Sequence, residues 1–394
     1  MKLIDLDFEQ HIQNKSSFKR LQNIKLPDKS IEEFKKIDLK HIYEEVFNFN
    51  HDSYISLESF EYLKNSDFHT VFIVNSIYLA QHSNINENIH LTTLEKRNPS
   101  SPNAFYHLTE SFLKSNNHLD IKKNLDKPLL IINISKYHNS FIPSSLVIDI
   151  DENISVDIVE LFISKNSEKS LFNLNRTLNI QKNSSVNYST TQSLQPQDTV
   201  IFNHTSKIEE NSELNIITLD YEGKQKLNIW NYDLKKVNSL LNIYGLTHIK
   251  DNQQISNIAN IIHNNENTLS NITFKHILND NSSAVFDVKS TINEKANHAK
   301  AFQSSQTILL SDNARINAQP RLQIYTDELE AKHSATTGAI DKEQLYYLKS
   351  RGISHENAIK ILLESFEAEI LEKITNEKIR EFIKEITAKG FKNE

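Results

Sequence analysis

The chain has 394 residues, 38% hydrophobic and 24% charged, and its 44 Lys and Arg against 51 Asp and Glu leave a formal charge of −7. That length exceeds what one hydrophobic core usually organises, so two or three structural units are expected, in a globular and not a disordered chain. An acidic balance without any basic block argues against nucleic acid as a partner, and no apolar run approaches the ~18 residues of a membrane span. The start, MKLIDLDFEQ, lacks the charged-then-apolar pattern of a secretory leader, so a cytoplasmic location without membrane insertion is expected. Cysteine is absent, which excludes disulfides, thiolate nucleophiles and Cys-ligated metal centres within this chain alone. The five glycines, Gly223, Gly245, Gly338, Gly352 and Gly390, stand too far apart for a Walker A loop or a GxGxxG turn. Nucleotide or thiol chemistry, if it matters here, comes from another chain.

The first third, 1–127, reads as a mixed, largely helical domain. Phe8 to Leu21, Ile31 to Leu39, Ser56 to Lys64 and Phe105 to Leu113 carry loosely helical apolar spacing. His69 to Tyr78 is rich in β-branched and aromatic residues and reads as extended, whereas Thr92 to Asn103, with two prolines, reads as a loop.

From Pro128 the texture changes to β-branched runs, and 128–335 reads as one β domain. A pattern of Asn, two variable residues, an apolar residue, Asn or Asp, and another apolar residue begins at Asn153, Asn183, Asn211 and Asn238. These copies lie 30, 28 and 27 residues apart; a degenerate copy follows at Asn281, after 43, and a further full copy at Asn313, after 32. Asn turns a chain because its short amide tolerates the left-handed conformation. Apolar residues two apart then share one strand face. One turn and strand every 27–32 residues is a solenoid signature, and the 43-residue gap predicts a longer or irregular coil between Ile249 and Asn271. The competing account is that an Asn-rich composition produces such matches by chance.

Residues 336–394 read as a helical domain. Asp341 with Gln344 makes a capping-box spacing and Gly352 falls at a helix stop. Ser354 opens a helix with Ala358, Leu362, Phe366, Ile370 and Ile374 at four-residue intervals, and Asn376 caps a third with Ile379, Phe382, Ile383 and Ile386 as its stripe. Within the β region His263 and His276 form either a metal pair or, more simply, two exposed polar histidines. Glu209-Glu210 and Lys235-Lys236 read as solvated turn charges.

The run Ser311 to Arg315, Pro320 to Asp327, His333 to Gly338 and Asp341 to Ile353 resembles the SufB/SufD family of iron–sulfur cluster assembly scaffolds. Fainter echoes lie at Leu26-Pro27 with Glu32 to Lys35, and at Leu278 to Phe286. The SufD branch is the better match, because SufB scaffolds depend on a cysteine that this chain lacks. The resemblance implies a right-handed parallel β-helix flanked by helical domains, with no catalytic residue of its own. It implies pairing with SufB through the β-helix, and His333 as a candidate cluster or iron ligand at that seam. It also implies docking of the SufC ATPase on the C-terminal helices, for which Leu345, Tyr346, Tyr347, Leu348, Arg351 and Gly352 are the candidates. Iron or a nascent cluster would be present only transiently, with no cofactor held tightly by this chain alone. Homodimerisation through the open solenoid edge is expected when SufB is absent. Ala331 and Ser334 depart from the family pattern, which often has cysteine at the first position and glycine at the second; Phe34 replaces a tryptophan. A β-helix hydrolase or lyase acting on carbohydrate is the alternative reading, weakened by the absence of a carboxylate cluster recurring in phase.

Overall fold

The computed structural model describes residues 3, 11–49, 60, 63–95, 103–113, 115–135, 139–164 and 169–390. Its β-rich middle is a solenoid of about seven turns, and each turn adds one strand to each of two sheets. The first sheet contains β1 (His69–Val74) with β2 (Ile77–Tyr78), then β5 (Leu129–Ser135), β7 (Ser155–Ser164), β9 (Ser185–Ser193) and β11 (Glu213–Asp220). It continues through β13 (Leu240–Ile249), β15 (Leu269–Leu278) and β17 (Ala299–Leu309) to β19 (Leu329–Gly338) at its free edge. The second sheet begins with β3 (Ile89–Glu95), β4 (Ser115–Ile121), β6 (Phe141–Ile150) and β8 (Leu171–Ile180). It runs on through β10 (Thr199–Ile208), β12 (Gln225–Leu234), β14 (Gln254–His263) and β16 (Ser283–Ile292) to β18 (Arg315–Ile324). The mainly β, helix-flanked solenoid predicted by the Asn-phased repeat is therefore the observed fold.

Successive coils pair parallel and in register. Val156, Val186, Leu214 and Leu241 are direct neighbours along one inner wall. They belong to the apolar cluster that fills the lumen, with Leu178, Trp230, Phe274 and Phe286 from the facing strands and coils. Burial of such side chains is worth ~1.5–3 kcal/mol each, and in a solenoid every coil completes the core of the one before it.

The turns obey the rule inferred from the repeat. Asn153, Asn183, Asn211 and Asn238 have φ of 63°, 59°, 56° and 57°, all left-handed. Asn267 (φ 55°) is the next member, 29 residues after Asn238, so the longer coil expected between Ile249 and Asn271 does not exist. The copy was masked because Ser270 stands at the inward position where its predecessors have Val or Leu; its Oγ lies 2.8 Å from His263 Nε2. Asn281 and Asn313 precede β16 and β18, strands of the second sheet, and so belong to the turns on the opposite side. The asparagines also bond to one another: Asn183, Asn211 and Asn238 each donate Nδ2 to the amide oxygen of the previous coil's asparagine, at 3.2, 3.3 and 2.8 Å. A second ladder joins Asp157, Asn187, Asn215 and Asn242 at 2.8, 3.0 and 2.7 Å.

Helices cover both outer faces. In the N-terminal part lie α1 (Lys15–Ile24), a single turn α2 (Lys40–Glu44) and α3 (Ala104–Phe112), and Phe105, Leu108 and Phe112 pack with Phe141, Leu171, Ile201 and Leu227 on the second sheet. Ile31 to Leu39 forms only a 3-10 turn at Glu32–Phe34, and Thr92 to Glu95, expected in a loop, lies in β3, which pairs antiparallel with β4. The strand at His69 breaks at Asn75 and Ser76, both with positive φ, into a hairpin. Most of Ser56 to Lys64 lies outside the described residues. At the C-terminus α4 (Lys342–Ser350) packs against α5 (His355–Leu371), and α5 and α6 (Glu377–Gly390) run along the first sheet. Ile370, Ile374, Ile379, Phe382, Ile383 and Ile386 pack on its outward Val159, Leu161, Ile163, Ile217 and Leu246. At the far end the Phe382 and Phe68 rings lie 5.4 Å apart.

Two substitutions test this account of turn and core. Asn211→Ala should cost ~1–2 kcal/mol in denaturant unfolding for the left-handed backbone alone, and Asn211→Gly clearly less; equal losses would remove the backbone explanation. Gly245→Ala would drive a Cβ to 2.0 Å from the Phe274 ring, destabilising the fold by ~1–3 kcal/mol. The double variant with Phe274→Leu should recover part of that loss, and no recovery would contradict the packing.

Candidate functional site

Among the described residues no strand or helix caps the solenoid's C-terminal end. β18 and β19 each have a neighbour on one side only, so half of their backbone N–H and C=O groups face outward unpaired, a template for another strand. His333 is exposed in the middle of β19, and its register partner one coil back is Gln303, an inward-facing buried residue. By the same alternation His333 shares the lumen side of β19 with Ala331, Ala335 and Thr337. It is exposed because β19 is the edge strand and no further coil among the described residues covers it. Ser334, on the opposite face, has ordinary strand geometry and its Oγ meets Ser304 Oγ at 3.2 Å, so its Cβ is tolerated without strain. Ala331 lies beside Ala301, and this chain offers only imidazole and oxygen ligands at the open end. The guanidinium of Arg321 on β18 is paired with Asp287 and lies 3.7 Å from Glu33, tying the last coil to the N-terminal segment.

The second surface is α4. Asp341 accepts from the N–H groups of Glu343 (2.8 Å) and Gln344 (3.2 Å), the predicted cap. At the other end Gly352 (φ 87°) bonds Lys349 and Ile353 bonds Leu348, the paired bonds of a Schellman stop. The helix presents Tyr346 and Tyr347 to solvent, 75% and 57% exposed, with Leu345 and Leu348 half-buried. Arg351 lies over the Tyr347 ring, 5.3 Å from its centre. A hollow of about 400 Å³ between α4 and α5 is lined by Tyr347, Leu348, Ile361 and Leu362. Neither tyrosine packs inward. α5 is in turn pinned to the first sheet: Lys275 donates to the Phe366 carbonyl (3.1 Å) and pairs with Glu369 (2.5 Å), and His248 lies 2.8 Å from Glu367.

His263 and His276 are not exposed; both are fully buried, one on each sheet. His263 is satisfied by Thr268 and Ser270 at 2.8 Å each, so the two do not form a metal pair. Sequence reasoning also missed the charges inside the lumen. Arg176 and Glu160 are fully buried and paired at 2.6 Å, with Arg176 also reaching Asn133 (3.1 Å) and Glu160 accepting from Tyr188. Burial works against the Arg176 charge, but Glu160 beside it more than offsets this and raises the guanidinium pKa. Lys226 and Asp220 form a second buried pair. The signal was available: the alternation that turns Val156 and Ile158 inward turns Glu160 inward too. Among the described residues one group of His, Asp and Glu has metal-like proximity, His118 with Asp120 and Asp149, and Lys122 and Asn179 already engage its carboxylates.

The comparisons with known proteins agree with the fold. Residues 132–366 match the family model described as the SUF system FeS cluster assembly, SufBD core domain, and the chain belongs to the SufB/SufD family. Within it, the similarity lies with SufD proteins. The iron–sulfur cluster assembly protein SufD of Escherichia coli is 25% identical over 299 residues, 71% of this chain and 67% of that protein. SufD of Bacillus subtilis is 26% identical over 66% of this chain and 61% of its own length. SufD of Plasmodium falciparum is 28% identical over 66% of this chain, which spans only 18% of that longer protein. No helix among the described residues is long and apolar enough to cross a membrane.

The buried histidines make a pH prediction. Burial lowers His204 to about 3 and His263 and His276 to about 4, against 6.5 when unfolded. The unfolded chain thus binds more protons between these values, and stability is full above pH 6.5 and lost as pH falls towards 4. Urea midpoints should fall across that window, less steeply in His263→Gln; a flat wild-type profile would contradict neutral burial.

Proposed function

We propose that this chain is the SufD-type subunit of a SUF assembly complex. In this reading it has three working parts, 1–127, 128–335 and 336–394. It pairs with SufB through β18 and β19, receives the SufC ATPase on α4 and α5, and presents His333 to the nascent cluster at the seam. The single observation that carries the reading is His333 on the unpaired edge strand of a ten-stranded sheet, open to solvent until a partner covers it. Iron or cluster is cargo here. A neutral imidazole is a sound ligand for iron and handles protons near neutrality. With no cysteine in the chain, thiolates would come from SufB. In the absence of SufB the same edge supports self-pairing.

The outward tyrosines and the stacked Arg351 suit an interface anchored by aromatic burial. Motion of the ATPase on ATP binding would then pull on α5, and the Lys275 and His248 contacts would carry that pull to β15 and β13. This chain positions and transmits; it does not hydrolyse ATP.

Co-purification with SufB and SufC from the same source should yield a stable ternary complex at low salt, and its absence would end the proposal. His333→Ala should leave the complex intact and lower cluster yield on the order of tenfold; an unchanged yield would reduce His333 to a structural contact. Tyr346→Ala with Tyr347→Ala should release the ATPase but not SufB.

A further inference from the structure

On the inner wall of the first sheet, Asp220, Thr247, His276, Thr307 and Thr337 are successive register partners, one from each of five coils. The row begins at the buried Asp220–Lys226 pair, where Asn228 also donates to Asp220 at 3.3 Å. It ends at Thr337 on the exposed edge strand. Between these ends Thr247 Oγ1, both ring nitrogens of His276 and Thr307 Oγ1 are buried and make no well-formed hydrogen bond within the protein. The His276 ring faces the Gln306 carbonyl, but outside good geometry. On the same face of β17, Ser305 Oγ and Gln303 Oε1 are also buried and unpartnered. The Gln303 amide is oriented unambiguously: Nε2 donates to Ser290 Oγ (2.8 Å) and to the Arg321 carbonyl (3.1 Å), an atom that can only accept. Gln303 and Ser305 are the register partners of His333 and Ala335, so these groups form the floor beneath the last coil.

Buried polar groups in native proteins are nearly always satisfied, and here six unsatisfied atoms form one contiguous seam. Strand backbones lie ~4.8 Å apart, and register partners elsewhere in the solenoid bond directly, as Ser334 does with Ser304 at 3.2 Å. In this row no such bond forms, and a gap of that size suits one bridging water with two bonds of ~2.8 Å. The seam is uncharged between Asp220 and the mouth, which suits neutral water and not an ion. Small side chains, Ala301, Ala331 and Ala335, adjoin it near the mouth. Hydroxyls and imidazole both donate and accept, so a water file held by them relays protons.

We propose that this row binds a file of internal water connecting the Asp220–Lys226 pair to the open end beneath His333, a proton route inside the subunit. The inference stands on the lumen and does not require that His333 bind iron. Water-to-protein magnetisation transfer on the isolated full chain tests it. Long-lived water contacts are expected at the His276 ring and the Thr247 and Thr307 methyls. Thr307→Val keeps the shape but removes the hydroxyl, and should abolish the His276 and Thr247 water contacts and lower the melting temperature. No water contacts in the wild type would overturn the proposal. So would contacts at His276 that persist in Thr307→Val, or a raised melting temperature in that variant, as valine in a dry site would give. If Thr307→Val fails to fold, Ser305→Ala reads the same seam: a weakened water contact at Thr307 supports the file, and an unchanged one overturns it.

Discussion

The rest of the structure depends on lateral, in-register hydrogen bonding between equivalent strands of successive coils. That single constraint stacks like residue on like, so any position repeated through the chain becomes a continuous wall, ladder or seam. It turns Val156, Val186, Leu214 and Leu241 into a core face. It turns Asp157, Asn187, Asn215 and Asn242 into an amide ladder. It also makes the ends of the solenoid chemically different from its middle. At the N-terminal end β3 folds antiparallel onto β4, whereas at the C-terminal end β18 and β19 are edge strands with no further strand paired to them among the described residues.

The same stacking explains how so polar a lumen is tolerated. Glu160, Arg176, Asp220 and Lys226 lie inside, each beside an opposite charge, and Glu160, Arg176 and Asp220 also meet further donors or acceptors. Such pairs are weak contributors to stability but expensive to break on one side only. Each pair joins consecutive strands on facing sheets, β7 to β8 and β11 to β12, and a slip of one residue in either strand would send its charge to the outer face. Helices close the outer faces, and α5 couples the surface at α4 to the strands that lead into the open end.

Much of this was legible from residues alone. The asparagine turns announced the solenoid because a left-handed residue and a period-two strand both leave marks in sequence. Asp341, Gly352, Ser354 and Asn376 announced the C-terminal helices because caps are local. What escaped was non-local. Ser270 hid a coil because its partner, His263, lies seven residues away on the other sheet. The burial of His263 and His276 depends on coils before and after them, and β3 reads as loop until β4 is there to pair with it. The open end was legible only as the place where the repeat stops, and the outward set of the tyrosines on α4 was not legible, since a helical stripe does not say which side is covered.

The central claim is that the free edge at β19, with His333 on it, is a strand-pairing surface for a sister subunit. Hydrogen–deuterium exchange of the 329–338 amides, with and without SufB, tests it most directly. The account predicts fast exchange at alternate amides of β19 in the isolated monomer and strong protection when SufB is added, with β13 unchanged. Exchange in 329–338 that is indifferent to a bound SufB would contradict it.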